Sequence, residues 1–263
     1  MVSSQELADD LAAETADLVA LLEPLPTGDW ELPTPAPGWA IRDQVSHLAF
    51  FDDAAMRAIT DPDAFRAEFA KMLAAGTIDP DTIAEQLRDR TAKQLLEWFG
   101  RSRAALVQEL AVRDPKERAP WYGPDMSIAS MTTARLMETW AHGQDVADAV
   151  GVSRVPTKRL RHVAHLGVRT MGFSFLLRDR PAPTEPVRVE LEWSDGLWAW
   201  GPEDAADRVT GPALDFCLLV TQRRHLADTR ISVHGPVATE WLSIAQAFAG
   251  APGKGRPAGL FPA

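Results

Sequence analysis

Cysteine is almost missing from this chain: Cys217 is the only one among 263 residues. No internal disulfide can form, no cysteine pair can build a zinc knuckle, and any thiol chemistry must use Cys217 or a thiol from outside. Positive charge is also short, with 27 Lys and Arg against 37 Asp and Glu and a net charge of −10. Nucleic acid and anionic membranes both call for clustered cations, so neither is expected as a partner. No apolar run approaches the roughly 20 residues that span a bilayer. The opening MVSSQELADDLAAET carries neither the cationic region nor the apolar stretch of a secretory signal. These absences point to a soluble, cytoplasmic protein; the expected partner is a small-molecule substrate, and the expected state a monomer or small homo-oligomer.

What is present is a globular composition in a chain long enough for one large domain or two ordinary ones. Leu7, Leu11, Leu18 and Leu22 repeat at helical spacing. The stretch 23–38, EPLPTGDWELPTPAPG, is too rich in Pro and Gly for helix or central strand. A second helix begins near Ile41, and a shorter one ends at Gly76, a plausible C′ residue. Asp79-Pro80 then supplies an N-cap and N1 proline for one long helix carrying Ile83, Leu87, Leu95, Trp98, Leu106 and Leu110. Helices over about 128–151 and 156–178 complete this half. Beyond residue 180 the pattern changes: VRVELEW alternates as a half-buried strand, Ser194-Asp195-Gly196 turns, and LWAW returns. The expected fold class is α+β, with a helical bundle over 1–180 and a small α+β domain over 181–263.

Glu138 and His142 lie four apart in MTTARLMETWAHGQDVADAVG, residues 131–151, and so stand one above the other on a helix. Imidazole nitrogen and carboxylate oxygen suit zinc and similar divalent ions, but a grip from two residues needs a third. His47, inside QVSHLAFFD on the second helix, is the natural candidate. Alone, Glu-x3-His is also a common solvated pair, and a histidine in an apolar stretch is also a hydrogen-bonded core residue. Asp145 shares the face of Glu138 and His142, as a partner to a ligand histidine or a solvated acid. Trp39, Trp121, Tyr122 and Trp140 are pocket or core aromatics. His162 and His165 form a short HxxH without a carboxylate neighbour. Cys217, in DFCLLV, reads as a small buried apolar residue with no adjacent base.

The segment WELPTPAPGWAIRDQVSHL resembles the signature of the mycothiol-dependent maleylpyruvate isomerase family, a branch of the DinB-like metal-binding bundles. Trp30, the prolines 33–37, Gly38-Trp39, Arg42-Asp43 and His47-Leu48 follow the family order, as do Glu138, His142 and Asp145-Val146 later on. The likeness covers roughly residues 1–150. It implies an antiparallel four-helix bundle in which His47, Glu138 and His142 ligate zinc or another divalent metal, with mycothiol as thiol cosubstrate. The later segments TGPALDFCLLVTQRRHLADTRISVHG and WLSIAQAFAG resemble a small wyosine-base-formation-like domain of related proteins. In the isomerases an arginine after the corresponding helix serves the active site, and DFCLLVTQR aligns it with Arg223, with Arg224 next. Gln222 departs from the pattern, which usually has Gly there.

A metal with an open position holds a thiol as thiolate, and the thiolate then adds reversibly to an activated alkene or stays on the product. Arg223 would bind a substrate carboxylate bidentately, or else satisfy the last carbonyls of its own helix. The resulting expectation is a metal-dependent, thiol-using isomerase or transferase acting on a small anionic electrophile. A thiol-independent metal hydrolase and a non-catalytic metal- or small-molecule-binding protein are the alternatives.

Overall fold

A computed structural model describes residues 3–261. The fold is α+β and divides into two compact units, one up to Arg154 and one from Val155.

In the first unit, helix α1 (Ser4–Leu22) starts on a capping box: Ser3 Oγ accepts from the Glu6 N–H at 3.2 Å, and the Glu6 carboxylate accepts from the Ser3 N–H at 2.7 Å. Its leucines at 7, 11, 18 and 22 are all buried, as their spacing predicts. The proline-rich stretch forms a 3-10 turn at Thr27–Glu31 and a tight loop closed by a bridge between Pro33 and Ala40. Gly38 turns that loop at φ +79°, a conformation that glycine adopts without strain. Helix α2 (Ile41–Thr60) follows, its first turn closed by Asp43, which accepts from the Ala40 N–H at 2.9 Å. Next come α3 (Pro62–Ala75), stopped by Gly76 in the left-handed region, and the short α4 (Pro80–Gln86). Helix α5 (Ala92–Val112), a two-residue ladder of β1 (Arg118–Ala119) and β2 (Met126–Ser127), and α6 (Ile128–Ala149) complete the unit.

The single long helix expected after Asp79-Pro80 is broken between Gln86 and Ala92. The Arg42 guanidinium, reaching over from α2, donates to the carbonyls of Arg88 at 2.6 Å and Arg90 at 2.5 Å. Carbonyls engaged in this way are diverted from a helical ladder. Thr91 then restarts the chain with its own capping box to Gln94.

The four long helices interlock: α1 and α2 each pack on both α5 and α6. Their shared core includes Leu18, Leu22, Trp30, Ile41, Val45, Leu48, Leu95, Phe99 and Val146. Inside it lies a buried ionic cluster. The Asp52 carboxylate accepts from Arg103 at 2.7 and 3.1 Å and from Arg135 at 3.0 Å, while Arg103 also donates to Thr15 and Thr139 at 2.6 and 2.8 Å. Through Asp52 and Arg103 together, these bonds tie all four helices.

The second unit opens with α7 (Leu160–Arg169) and α8 (Met171–Leu176). The expectation of one helix to 178 belonging with the bundle differs from this. The Thr170 hydroxyl donates to the carbonyls of Leu166 and Gly167 between the two helices, and α7 packs on a helix of the second unit. A Cβ at Gly167 would come within 2.7 Å of Val220, so the close approach depends on glycine. The division therefore falls after Arg154 rather than near residue 180. Strands β3 (Val187–Trp193), β4 (Gly196–Trp200), β5 (Asp207–Pro212) and β6 (Ser232–His234) form a sheet of order β4-β3-β5-β6, with β3 and β5 parallel and the outer pairs antiparallel. Helix α9 (Ala213–Val220), the partner of α7, follows β5 directly, and α10 (Pro236–Ile244) comes after β6. Among the described residues no helix is long and apolar enough to cross a membrane.

Candidate metal centre

Helix α2 contributes His47, and α6 contributes Glu138 and His142 from consecutive turns of one face. The donor atoms of these three residues all lie within 4.8 Å of one another. Glu138 Oε2 is 3.1 Å from His142 Nε2 and 3.7 Å from His47 Nε2. Among the described residues this is the one group of three or more His, Cys, Asp or Glu that could close on an ion. The sequence reading named the same three residues.

The surroundings favour ligand-ready protonation states. Burial and the neighbouring His142 depress the His47 pKa to about 4, against the pull of Glu138, so the imidazole is neutral at physiological pH. Burial alone would raise the pKa of Glu138, but its contacts with His142 and His47 prevail and hold it well below the usual carboxylate range. Imidazole nitrogens beside an ionised carboxylate are the donor chemistry that zinc and similar ions take up, so the residues fit such a metal. The Trp39 ring stacks on His142 at 5.9 Å between centroids and 14° between planes, while Phe51 sits 4.6 Å from His47. Trp39 also forms one wall of a cleft of about 390 Å³ with Thr34, Asp43 and Arg88.

Sequence reasoning missed Gln44. Fully buried and one helical turn before His47, its Oε1 meets His142 Nδ1, so the two ring nitrogens of His142 face Gln44 and Glu138. The only available signal was a polar residue between apolar ones on the inward face of α2. Asp145 is buried rather than solvated.

The other candidates lie in the second unit. The Arg223 guanidinium donates to the Thr221 carbonyl at 2.7 Å, at the C-terminus of α9. That of Arg224 donates to the Arg223 carbonyl at 2.8 Å and lies 3.7 Å over the Phe261 ring. Gln222 occupies the left-handed region at φ +59°, which explains why glycine suits this position. His165 accepts from Trp200 Nε1 at 3.2 Å, and the HxxH pair forms no ion-closing group. Cys217 is buried, which pushes its thiol pKa up and leaves it un-ionised.

Comparison with known proteins bears on the fold and the family. The family model described as mycothiol maleylpyruvate isomerase N-terminal domain matches residues 11–147, and one described as wyosine base formation matches 186–234. Uncharacterised proteins from two strains of Mycobacterium tuberculosis, CDC 1551 / Oshkosh and H37Rv, are 49% identical over 252 residues, covering 94% of this chain and 96% of theirs. A crystal structure of the mycothiol-dependent maleylpyruvate isomerase superposes with a TM-score of 0.59 at 13% identity, over 90% of this chain and 96% of that one. A histidine-to-alanine mutant of that enzyme gives 0.60 over the same shares. With the family pattern matched across more than half its length, the chain belongs to the mycothiol maleylpyruvate isomerase N-terminal domain family.

Proposed function

We propose that this protein is a cytoplasmic, zinc-dependent enzyme that uses a low-molecular-weight thiol such as mycothiol for isomerisation of, or thiol transfer to, a small anionic electrophile. The observation that carries this reading is the convergence of His47, Glu138 and His142 donor atoms within 4.8 Å. Three protein ligands leave a further position for a small molecule, the pattern of catalytic rather than structural zinc sites. A zinc ion there would hold a thiol as thiolate at neutral pH and polarise a carbonyl.

The remaining work falls to the chain. Its helices α1, α2, α5 and α6, read as a DinB-like antiparallel four-helix bundle, hold the imidazole of one helix against the carboxylate and imidazole of another. The rings of Trp39 and Phe51 flank the two imidazoles and limit water around them. Arg223 is assigned to the anionic end of the substrate by its place in the family pattern, one of its nitrogens meanwhile serving Thr221. A buried, un-ionised Cys217 supports an external thiol. The name of the superposed enzyme, a mycothiol-dependent isomerase, favours thiol chemistry over hydrolysis.

The test is elemental analysis of purified protein, together with turnover of unsaturated oxo acids with and without mycothiol. The expected result is one bound zinc per chain and thiol-dependent turnover. Glu138→Ala and His142→Ala should lose the metal yet keep their circular dichroism, and Arg223→Ala should keep the metal but turn over slowly. Stoichiometric zinc in both α6 variants would remove the site, and metal-dependent turnover without thiol would replace the proposed reaction by hydrolysis.

A further inference from the structure

We infer that Gln44 is a positioning residue that locks His142 in the tautomer protonated at Nδ1, so that the Nε2 lone pair is presented beside Glu138 and His47. The argument begins at a group whose polarity cannot change. The Trp39 carbonyl can only accept, and it takes both the Thr34 N–H at 2.8 Å and the Thr34 hydroxyl at 2.9 Å. With its proton committed there, Thr34 Oγ1 can only accept from its other neighbour, Gln44 Nε2 at 2.8 Å. The amide is thereby oriented with its oxygen towards His142 Nδ1, and that contact is a hydrogen bond only if Nδ1 carries the proton. A turned amide would need the Thr34 hydroxyl for itself, leaving one hydrogen bond fewer at Trp39.

The proton order therefore runs from a backbone carbonyl in the proline-rich loop, through Thr34 and Gln44, to the ring of His142. All of these groups are buried or half-buried, so water does not readily substitute for a lost link. His47 lacks such wiring: its Nδ1 is buried without a hydrogen-bond partner in the described structure. Of the two imidazoles, His142 is the one whose ligand nitrogen is fixed before an ion arrives. Its partner on the far side, Glu138 Oε2 at 3.1 Å, stabilises positive charge at that edge of the ring, a place that a proton or a metal ion can fill.

The consequence for affinity rests on the metal reading above, whereas the tautomer does not, and the experiment separates the two. Long-range 15N–1H correlation spectra of chelator-treated protein at about pH 8.5, where ordinary imidazoles are neutral, should show His142 protonated at Nδ1, its signals identified by their loss in His142→Ala. In Gln44→Leu this preference should vanish, and zinc affinity, read by competition with a chromophoric chelator, should fall about 10- to 100-fold. Gln44→Glu keeps an acceptor towards Nδ1 and should restore both readouts. Should Gln44→Leu fail to fold, Thr34→Val frees the amide to turn and should weaken zinc binding about fivefold, the worth of one hydrogen bond. An Nε2–H signature for His142 in the wild type, or undiminished zinc affinity in a folded Gln44→Leu variant, would overturn the inference. Wild-type protein that binds no zinc but shows the Nδ1–H signature would defeat the metal reading and leave the positioning role of Gln44 standing.

Discussion

A single carboxylate, Asp52, faces two buried guanidiniums, and its replacement shows what residue-scale chemistry contributes to this fold. Asp52→Asn keeps the shape but leaves Arg103 and Arg135 without a counter-charge in a region closed to water. Breaking a buried pair in this way costs about 3–5 kcal/mol, so the urea midpoint of the variant should drop steeply; a change below about 1 kcal/mol would show that the cluster is relaxed by other means. Tyr122 offers a second test, because it is the only tyrosine in the chain and phenolate absorbance reports it alone. Burial raises its pKa to about 12, with the Glu68 carboxylate adding to the effect. The folded state thus holds the proton more tightly than the unfolded chain does. Its contribution to stability is complete below about pH 10 and is lost as the pH rises towards 12. An ultraviolet titration should find a midpoint near 12 in native protein and near 10 in denaturant. At this scale the sequence was partly legible. Glu138 and His142 announce themselves by spacing, whereas His47 is only a candidate by its place on the second helix until family likeness joins it to them. Gln44 and the Asp52 cluster stay hidden because their partners lie on other helices, far along the chain.

Elements were legible where local chemistry decides them. The capping box at Ser3, the left-handed Gly76 and the Asp79-Pro80 helix start all lie where short-range rules put them. The break between α4 and α5 escaped because it is imposed by Arg42, a residue of another helix that takes the carbonyls for itself. The turn after α9 gives a prediction at this scale. Gln222 sits at φ +59° while its side-chain amide donates to the Ala245 carbonyl at 3.1 Å, so backbone strain and a hydrogen bond oppose each other. Gln222→Ala forfeits the bond and keeps the strain, while Gln222→Gly forfeits the bond and sheds it. The glycine variant should therefore be the more stable of the two by about 1 kcal/mol, measured by chemical unfolding. The reverse order would mean that some other contact of the turn holds it in place.

At the scale of the whole molecule, α+β character and a two-part chain could be read from the change of pattern near residue 180, but the boundary could not. Helix α7 has the periodicity of a bundle helix. Its packing on α9, close at Gly167, goes with the second unit, and such a contact has no local signature. Every residue of the candidate metal centre and of its supporting layer lies before Arg154. A fragment of residues 1–154 should therefore retain stoichiometric zinc with an affinity within about tenfold of the full chain, as read by chelator competition. A fragment that folds but does not bind would mean that later residues complete the site.

Cys217 has a meaning that extends beyond its packing. It is completely shielded, its sulfur directed at the Leu160 carbonyl at 3.4 Å. A catalyst that brings alkylating molecules together with a soft nucleophile risks consuming itself, since any thiol of its own would compete for the same reagent. This chain keeps its one sulfhydryl protonated and sealed, so that under the proposed function a visiting cosubstrate would be the only thiol on offer and the protein would escape inactivation by its own substrate.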